Sequence, residues 1–383
     1  MTCPRCRGDA RCKGFRWRGA LTLLGPIRLR RHYYLCPCCH AGACPRDALL
    51  GLRGHDLTPA ADEAVCLAGV QASFAEAAER TLLRLAGLRV SESTAERATE
   101  AAGGRLAQAQ AAGATFGPER PWAWHKDAEG RTCAYVSVDA TGVGQQGPGG
   151  AKAEGRMATV GMVYNPVPQD RSRWADPRGP RPGWQARYVA QLRPLAELAQ
   201  PLRRQGGQVG MDQAQRWIAL SDGGAGLEDF LRDNFGRVDV VILDFYHAAG
   251  YLGDLAKALH PADDAAAEAW RGPWCHRLKH EGGRAVLEGL RALEVRGRAA
   301  RECWAQVVSY FANQAHRMDY PAYLGKGWQI GSGPVESACK TVVGQRLKGG
   351  GMRWGEDGAD TVAHLRALFR SEKGQWEAFW SHN

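Results

Sequence analysis

At 383 residues the chain is too long for one ordinary domain, and two or three are expected; with 44% hydrophobic residues it can bury a sizeable core. The formal charge is +10, and nearly all of it falls in residues 1–55, where eleven Arg and Lys face only Asp9 and Asp47. Such an arm suits a polyanion, nucleic acid before membrane surface, and the absence of any apolar run near 18 residues or of a secretory signal argues for a cytoplasmic protein without a membrane span.

The twelve cysteines are therefore expected as metal ligands or buried thiols rather than disulfides. Cys3-Pro-Arg-Cys6 is followed 29 residues later by Cys36-Pro-Cys-Cys39. Zn²⁺ takes four soft ligands in a tetrahedron, and each knuckle supplies two from one tight turn. Between them, 20–24 and 27–35 flank Gly25-Pro26 and predict a β-hairpin carrying Arg28, Arg30 and Arg31. Residues 1–56 thus read as a zinc ribbon, with Cys12, Cys38, His40 and Cys44 to spare, any one of which could replace an assumed ligand.

Residues 45–57 are a connector. Thr58-Pro59 predicts an N-cap and a proline at the first helical position, with helix to about residue 72. A second helix is expected over 74–86, broken by Gly87-Leu-Arg-Val90. Ser93-Thr-Ala-Glu96 has the form of a capping box opening a third helix to about residue 112. Helix, glycine turn, helix, with Arg84, Arg89 and Arg97 nearby, predicts a helix-turn-helix DNA-binding domain over 57–112, although any αα-hairpin would look similar. Residues 113–130, with Pro118, Pro121, Trp122 and Trp124, read as a linker.

From residue 131 the pattern changes to strands at 133–139, 159–164 and 187–192, separated by a Gly-rich loop (142–155) and an Arg/Pro/Trp-rich loop (165–185). A helix over 194–205, a strand over 217–222, a helix over 226–234 and a strand over 238–244 follow, while irregular residues 209–216 leave Asp212 unplaced. Three strands, helix, strand, helix, strand is the ribonuclease H order. The expected fold class is α/β, a mixed sheet with an inserted all-α subdomain at about 246–325. A last pair of helices would hold Glu336 and span 360–371.

Four acids stand out: Asp139 and Asp222 after apolar strands, Asp244 after a third, and Glu336 in a Gly-rich helix start. Separated carboxylates gathered at strand tips can hold divalent ions with positions left for phosphate and water. Taken alone, each has a plainer reading as a cap or helix-start residue, and His247 alone is usually structural. Together with Val-Asp-Ala-Thr-Gly, Ser221-Asp-Gly, Asp244-Phe-Tyr-His247 and Gly331-Ser-Gly-Pro-Val-Glu336, the chain resembles bacterial insertion-sequence DDE transposases with a Mutator-like core. The resemblance implies Asp139, Asp222 and Glu336 as catalytic ligands of two Mg²⁺ (or Mn²⁺), with Asp244 and His247 as an accessory pair. It implies cleavage at the element ends and strand transfer into target DNA, by a homodimer or higher assembly on double-stranded DNA. Lys340, Arg346, Lys348 and Arg353, behind Glu336, would join Arg28, Arg30, Arg31, Arg89 and Arg97 as DNA contacts. The rival readings are a zinc-ribbon regulator, which needs no such set of acids, and a related nuclease that cuts without joining.

Overall fold

A computed structural model describes residues 1–52, 55–166, 185–331 and 333–381. Ser332 and most of the expected loop at 165–185 lie outside them. The protein is mixed α/β, with two sheets and many helices.

The small N-terminal sheet is an antiparallel ribbon, β1 (Arg11–Thr22) against β2 (Gly25–Leu35), edged by β3 (Gly42–Ala43). Both strands reach further than the expected hairpin, and the turn is Leu23-Leu24 rather than Gly25-Pro26. Gly25 opens β2 at φ 111°, a conformation cheap only for glycine, and Pro26 then pairs with Leu21. A short helix α1 (Pro45–Leu49) follows.

Helix α2 (Pro59–Gly69) starts with Pro59 at its first position, but Thr58 does not cap it through its side chain; its hydroxyl donates to Leu21 O (3.2 Å). Helix α3 (74–86) has a π-helical middle at Ala77–Leu82. The N-cap of helix α4 (Glu92–Ala111) lies two residues before the expected one: Ser91 Oγ, not Ser93 Oγ, accepts the orphan amide of Thr94 at 3.2 Å.

The large sheet is built from β4 (His125–Lys126), β5 (Thr132–Gln146), β6 (Lys152–Asn165), β7 (Gln185–Gln191), β8 (Arg216–Ser221) and β9 (Val238–Leu243). Its order is β7-β6-β5-β8-β9, with β4 paired to the start of β5. β5, β6 and β7 are antiparallel neighbours, while β8 and β9 run parallel to β5. Helix α5 (Leu195–Gln208) crosses between β7 and β8, and α6 (Leu227–Asn234) between β8 and β9.

The near-continuous apolar run of β5 is explained by packing on both faces. Cys133 and Tyr135 join one core with α2, α4 and the C-terminal helices; Ala134, Val136 and Val138 join the other with Leu198, Leu202, Phe230 and Leu231. Trp122 and Trp124, in the expected linker 113–130, are buried in that second core. The helices at 57–112 share the first core with the sheet: Gly103 of α4 lies so close to Thr361 O that no side chain fits between them.

After β9 come only helices: α7 (Phe245–Leu259), α8 (Asp264–Glu281), α9 (Gly283–Arg291), α10 (Arg298–Gln314) and α11 (Tyr320–Gly325). Trp270 and Trp274 stack at 5.2 Å, and Trp304 donates to Leu290 O (2.7 Å), as packing residues. The chain then returns through α12 (333–347, π-helical over Cys339–Gly344), α13 (Glu356–Arg370) and α14 (Gln375–Ser381). The expected Gly-rich loop from residue 142 is instead the far half of β5, flanked by the segment before α13: Trp354 N donates to Gly144 O and Gln146 N to Trp354 O.

Candidate functional site

The two cysteine knuckles share one backbone design. Cys3 N donates to Gly8 O and Arg7 N to Cys3 O; Cys36 N donates to Ala41 O and His40 N to Cys36 O. Arg7 and His40 both take positive φ, 59° and 54°. Each turn thereby aims two thiols at one point. Cys3 and Cys39 sulfurs are 3.5 Å apart, as are those of Cys6 and Cys36, and all four lie within 4.8 Å of one another. A tetrahedral zinc with bonds of about 2.3 Å would space its sulfurs by about 3.8 Å, so the set fits a structural metal such as zinc. The amides of Cys6 and Arg5 lower the Cys3 thiol to about 6, and those of Cys39 and Cys38 lower Cys36. Cys6 is favoured as thiolate by the Gly8 amide, yet its hydrogen bonds with Cys39 and Cys36 push it up to about 12. Four clustered thiols cannot all ionise without a cation to share the charge.

The acids are placed by strand register. Ser137 pairs with Leu220 on parallel β5 and β8, and Ser221 with Leu243 on β8 and β9. Asp139, Asp222 and Asp244 therefore follow at one level along the same sheet edge. Asp139 accepts from Ala140 N (2.7 Å), and Asp222 from Gly224 N (2.9 Å) in the turn that Gly223-Gly224 permits. Burial, and then the charges of Asp222 and Glu336, hold the Asp139 carboxyl above the usual range, although the Ala140 amide and the Cys339 thiol favour its anion. The charges of Asp222 and Glu336 are thus both felt at Asp139, with Glu336 exposed on α12. Among the described residues the four cysteines are the group of three or more metal-ligating side chains closed to within 4.8 Å; the carboxylates stand wider.

Asp244 has another setting. It is buried, at 0% exposure, and caps α7 by accepting from Tyr246 N (3.1 Å) and His247 N (3.0 Å). It meets His247 through that amide, while the exposed imidazole lies against Tyr251 and Tyr310 at ring distances of 5.6 and 6.1 Å. Asp212, unplaced from sequence, sits on a short turn, Met211–Gln213, before β8.

Several positioning residues were not visible in the sequence. Arg317, 1% exposed, donates to Ser221 Oγ (2.6 Å) and Val241 O (3.2 Å), and Tyr320 Oη donates to Leu243 O (3.1 Å). The helical insertion thereby braces the strand ends that carry Asp222 and Asp244. Ser137 Oγ ties β5 to β8 through Leu220 O (2.6 Å). Lys348 donates to Thr141 Oγ1, two residues beyond Asp139, placing a cation at the acid edge.

The basic residues divide. Arg28, Arg30, Arg89, Arg97, Lys340, Lys348 and Arg353 are exposed. Arg31 is turned inward to an ion pair with Asp47. Arg346 is a correction to the expected DNA contacts: at 1% exposure it donates to Gly69 O (2.6 Å), between the rings of Phe74 and Trp354. A guanidinium stacked on two rings and bonded to a helix-end carbonyl is core structure.

Among known proteins, no family model matches the chain and no curated protein matches it. Among the described residues, no helix is long and apolar enough to cross a membrane.

Proposed function

We propose that the protein is a DNA transposase of the DDE type, built on a ribonuclease H-like sheet. The observation that carries this reading is the register that sets Asp139 beside Asp222 at one sheet edge, with the charge of Glu336 felt at Asp139. The strand order, three antiparallel strands followed by two parallel ones on the far side of the first, is the ribonuclease H order.

Asp139, Asp222 and Glu336 would hold divalent cations. Their oxygens are hard donors suited to Mg²⁺ or Mn²⁺, and a dication would offset what raises the Asp139 carboxyl, burial first and then the charges of Asp222 and Glu336. When bound, such ions activate water for attack on a phosphodiester and stabilise a leaving 3′-oxygen. The chain supplies the rest. Gly223 and Gly224 keep the Asp222 carboxylate accessible, Arg317 and Tyr320 fix the strand ends, and Lys348 offers a charge to a phosphate at the same edge. Double-stranded DNA would be held by the basic N-terminal ribbon and by α4, whose first turns carry the exposed Arg97. Assembly on DNA as a dimer or higher oligomer belongs to the same reading.

The test uses the full chain, Mg²⁺ and duplexes from the DNA flanking its gene. Cleavage at an inverted-repeat end and joining of the freed 3′-hydroxyl to a second duplex are expected. Cleavage without joining would make it a nuclease; neither activity would overturn the reading.

A further inference from the structure

The β1–β2 ribbon is unlike on its two faces. One face carries Arg18 and Arg31. Arg18 bonds to Asp56 (2.7 Å) and Asp47 (2.9 Å), Arg31 pairs with Asp47, and both are half-buried. Asp47 of α1 and Asp56 neutralise Arg18 and Arg31, while Arg16 on the same face stays exposed and stacks on Tyr33 at 3.7 Å. The other face carries Phe15, Trp17, Arg28, Arg30 and His32, all exposed, with Phe15 at 52% and Trp17 at 58%. Arg30 stacks on Phe15 at 3.7 Å and Arg28 on Trp17 at 5.2 Å, while His32 meets Phe15 edge-on at 4.3 Å. No acid bonds to these two arginines among the described contacts.

Resting on the reading that this chain binds duplex DNA, we infer that the Phe15–Trp17–Arg28–Arg30 face of the ribbon is a DNA-docking surface, continuous with α4, so that ribbon and helix grip one duplex. Three observations carry it. The first is the pairing, on this face, of two exposed aromatic rings with two arginines that have no acid partner among the described contacts. The second is rigidity: a guanidinium stacked on an aromatic ring is held in place before binding, which lowers the entropy cost of each phosphate or guanine contact. The third is continuity. Arg28 lines a cleft of about 1040 Å³ that is also lined by Arg89, just before α4, by Arg97 within it, and by Asp56. A two-stranded ribbon fits the major groove of B-DNA, as a helix does. Arg31 and Arg18, bound to their aspartates, have no part in it.

The experiment measures affinity of the full-length protein for a duplex from the gene's flank and for a shuffled duplex, across a salt series. Arg28→Ala/Arg30→Ala should lower the slope of log affinity against log salt by about 2, the loss of two phosphate contacts, and weaken binding about ten-fold or more at physiological salt. Trp17→Ala should weaken binding with a smaller change of slope. Arg16→Ala, on the opposite face, should leave both unchanged. Equal zinc content in every variant shows the ribbon intact. Wild-type affinity and slope in the double variant, or an equal loss in Arg16→Ala, would overturn the inference. Neither outcome touches the transposase reading, which fails instead if a protein that binds DNA neither cleaves nor joins it.

Discussion

Asp139 and Asp222 stand level on adjacent parallel strands, each two residues beyond the Ser137–Leu220 pair. This relationship separates Asp222 from Asp244, since each ends an apolar strand. Asp222 is partly open and followed by two glycines, whereas Asp244 is fully buried and spends its oxygens on the first turn of α7.

Asp222→Asn should therefore abolish both cleavage and joining while DNA binding survives, because a metal ligand is lost with almost no volume. Asp244→Asn should retain metal-dependent cleavage, reduced about 10–100-fold as for groups behind the ligands. Asn caps helices about as well as Asp, so the fold should tolerate it. Reversed outcomes in a cleavage assay would give the metal to Asp244.

The Asp139 carboxyl is raised in the folded protein by burial and by Asp222 and Glu336. A raised carboxyl contributes stability below its unfolded value, about 3.9, and that contribution is lost as pH climbs through the raised value. Without divalent ions at neutral pH, Asp139→Asn should thus melt higher than wild type. The difference should shrink toward pH 4. Added Mg²⁺ should raise the wild-type melting point more than that of the variant. A lower melting point for Asp139→Asn across the whole range would show that the three acids do not strain one another.

Metal analysis of the full chain should give about one zinc per molecule, bound by Cys3, Cys6, Cys36 and Cys39. Cys36→Ser should lose it and destabilise the ribbon. Cys38→Ser, next to the knuckle but outside the four-sulfur cluster, should keep it. Zinc loss in Cys38→Ser would mean that the ligand set is wrong.

Arg346 and Arg353 should part company. Arg346→Ala removes a buried guanidinium from between Phe74 and Trp354 and leaves Gly69 O without its donor, and it should cost about 2–4 kcal/mol of stability. Arg353→Ala, at an exposed site, should change stability little and reduce the salt slope of DNA binding by about 1. Denaturant melts and binding isotherms on the two variants decide it.

The strand succession was readable because β8, β9 and the first half of β5 are short apolar runs set off by polar or glycine-rich segments. Boundaries were less readable for local reasons. Ser91 and Ser93 both satisfy a cap pattern, and only the amide of Thr94 chooses between them. Gly142 and Gly144 look like loop residues, yet they lie within β5, and at Gly144 a side chain would press on Met352 O at 3.3 Å. The burial of Trp122 and Trp124 is not legible in the sequence, because they find their core only once the sheet exists. Arg317 and Arg346 were beyond reach for a different reason: their partners are carbonyls or hydroxyls 76–277 residues away, and a lone arginine on a helix carries no mark of that.

The helical insertion leaves the sheet at Phe245 and returns at Ile330, and Phe245 N donates to Ile330 O at 2.9 Å. Its two ends meet at a single rung beside the acids, braced by Arg317 and Tyr320. Such a stem closes the insertion at its base, and Tyr310 beside Gly223 and His316 on Glu228 add contacts with the sheet's own helix and turn. Helices distal to it can lengthen, shorten or be exchanged at the modest cost of loop closure, which grows only slowly with length. A change of length within the insertion would therefore leave the spacing of Asp139, Asp222 and Asp244, which the strand register sets, unaltered.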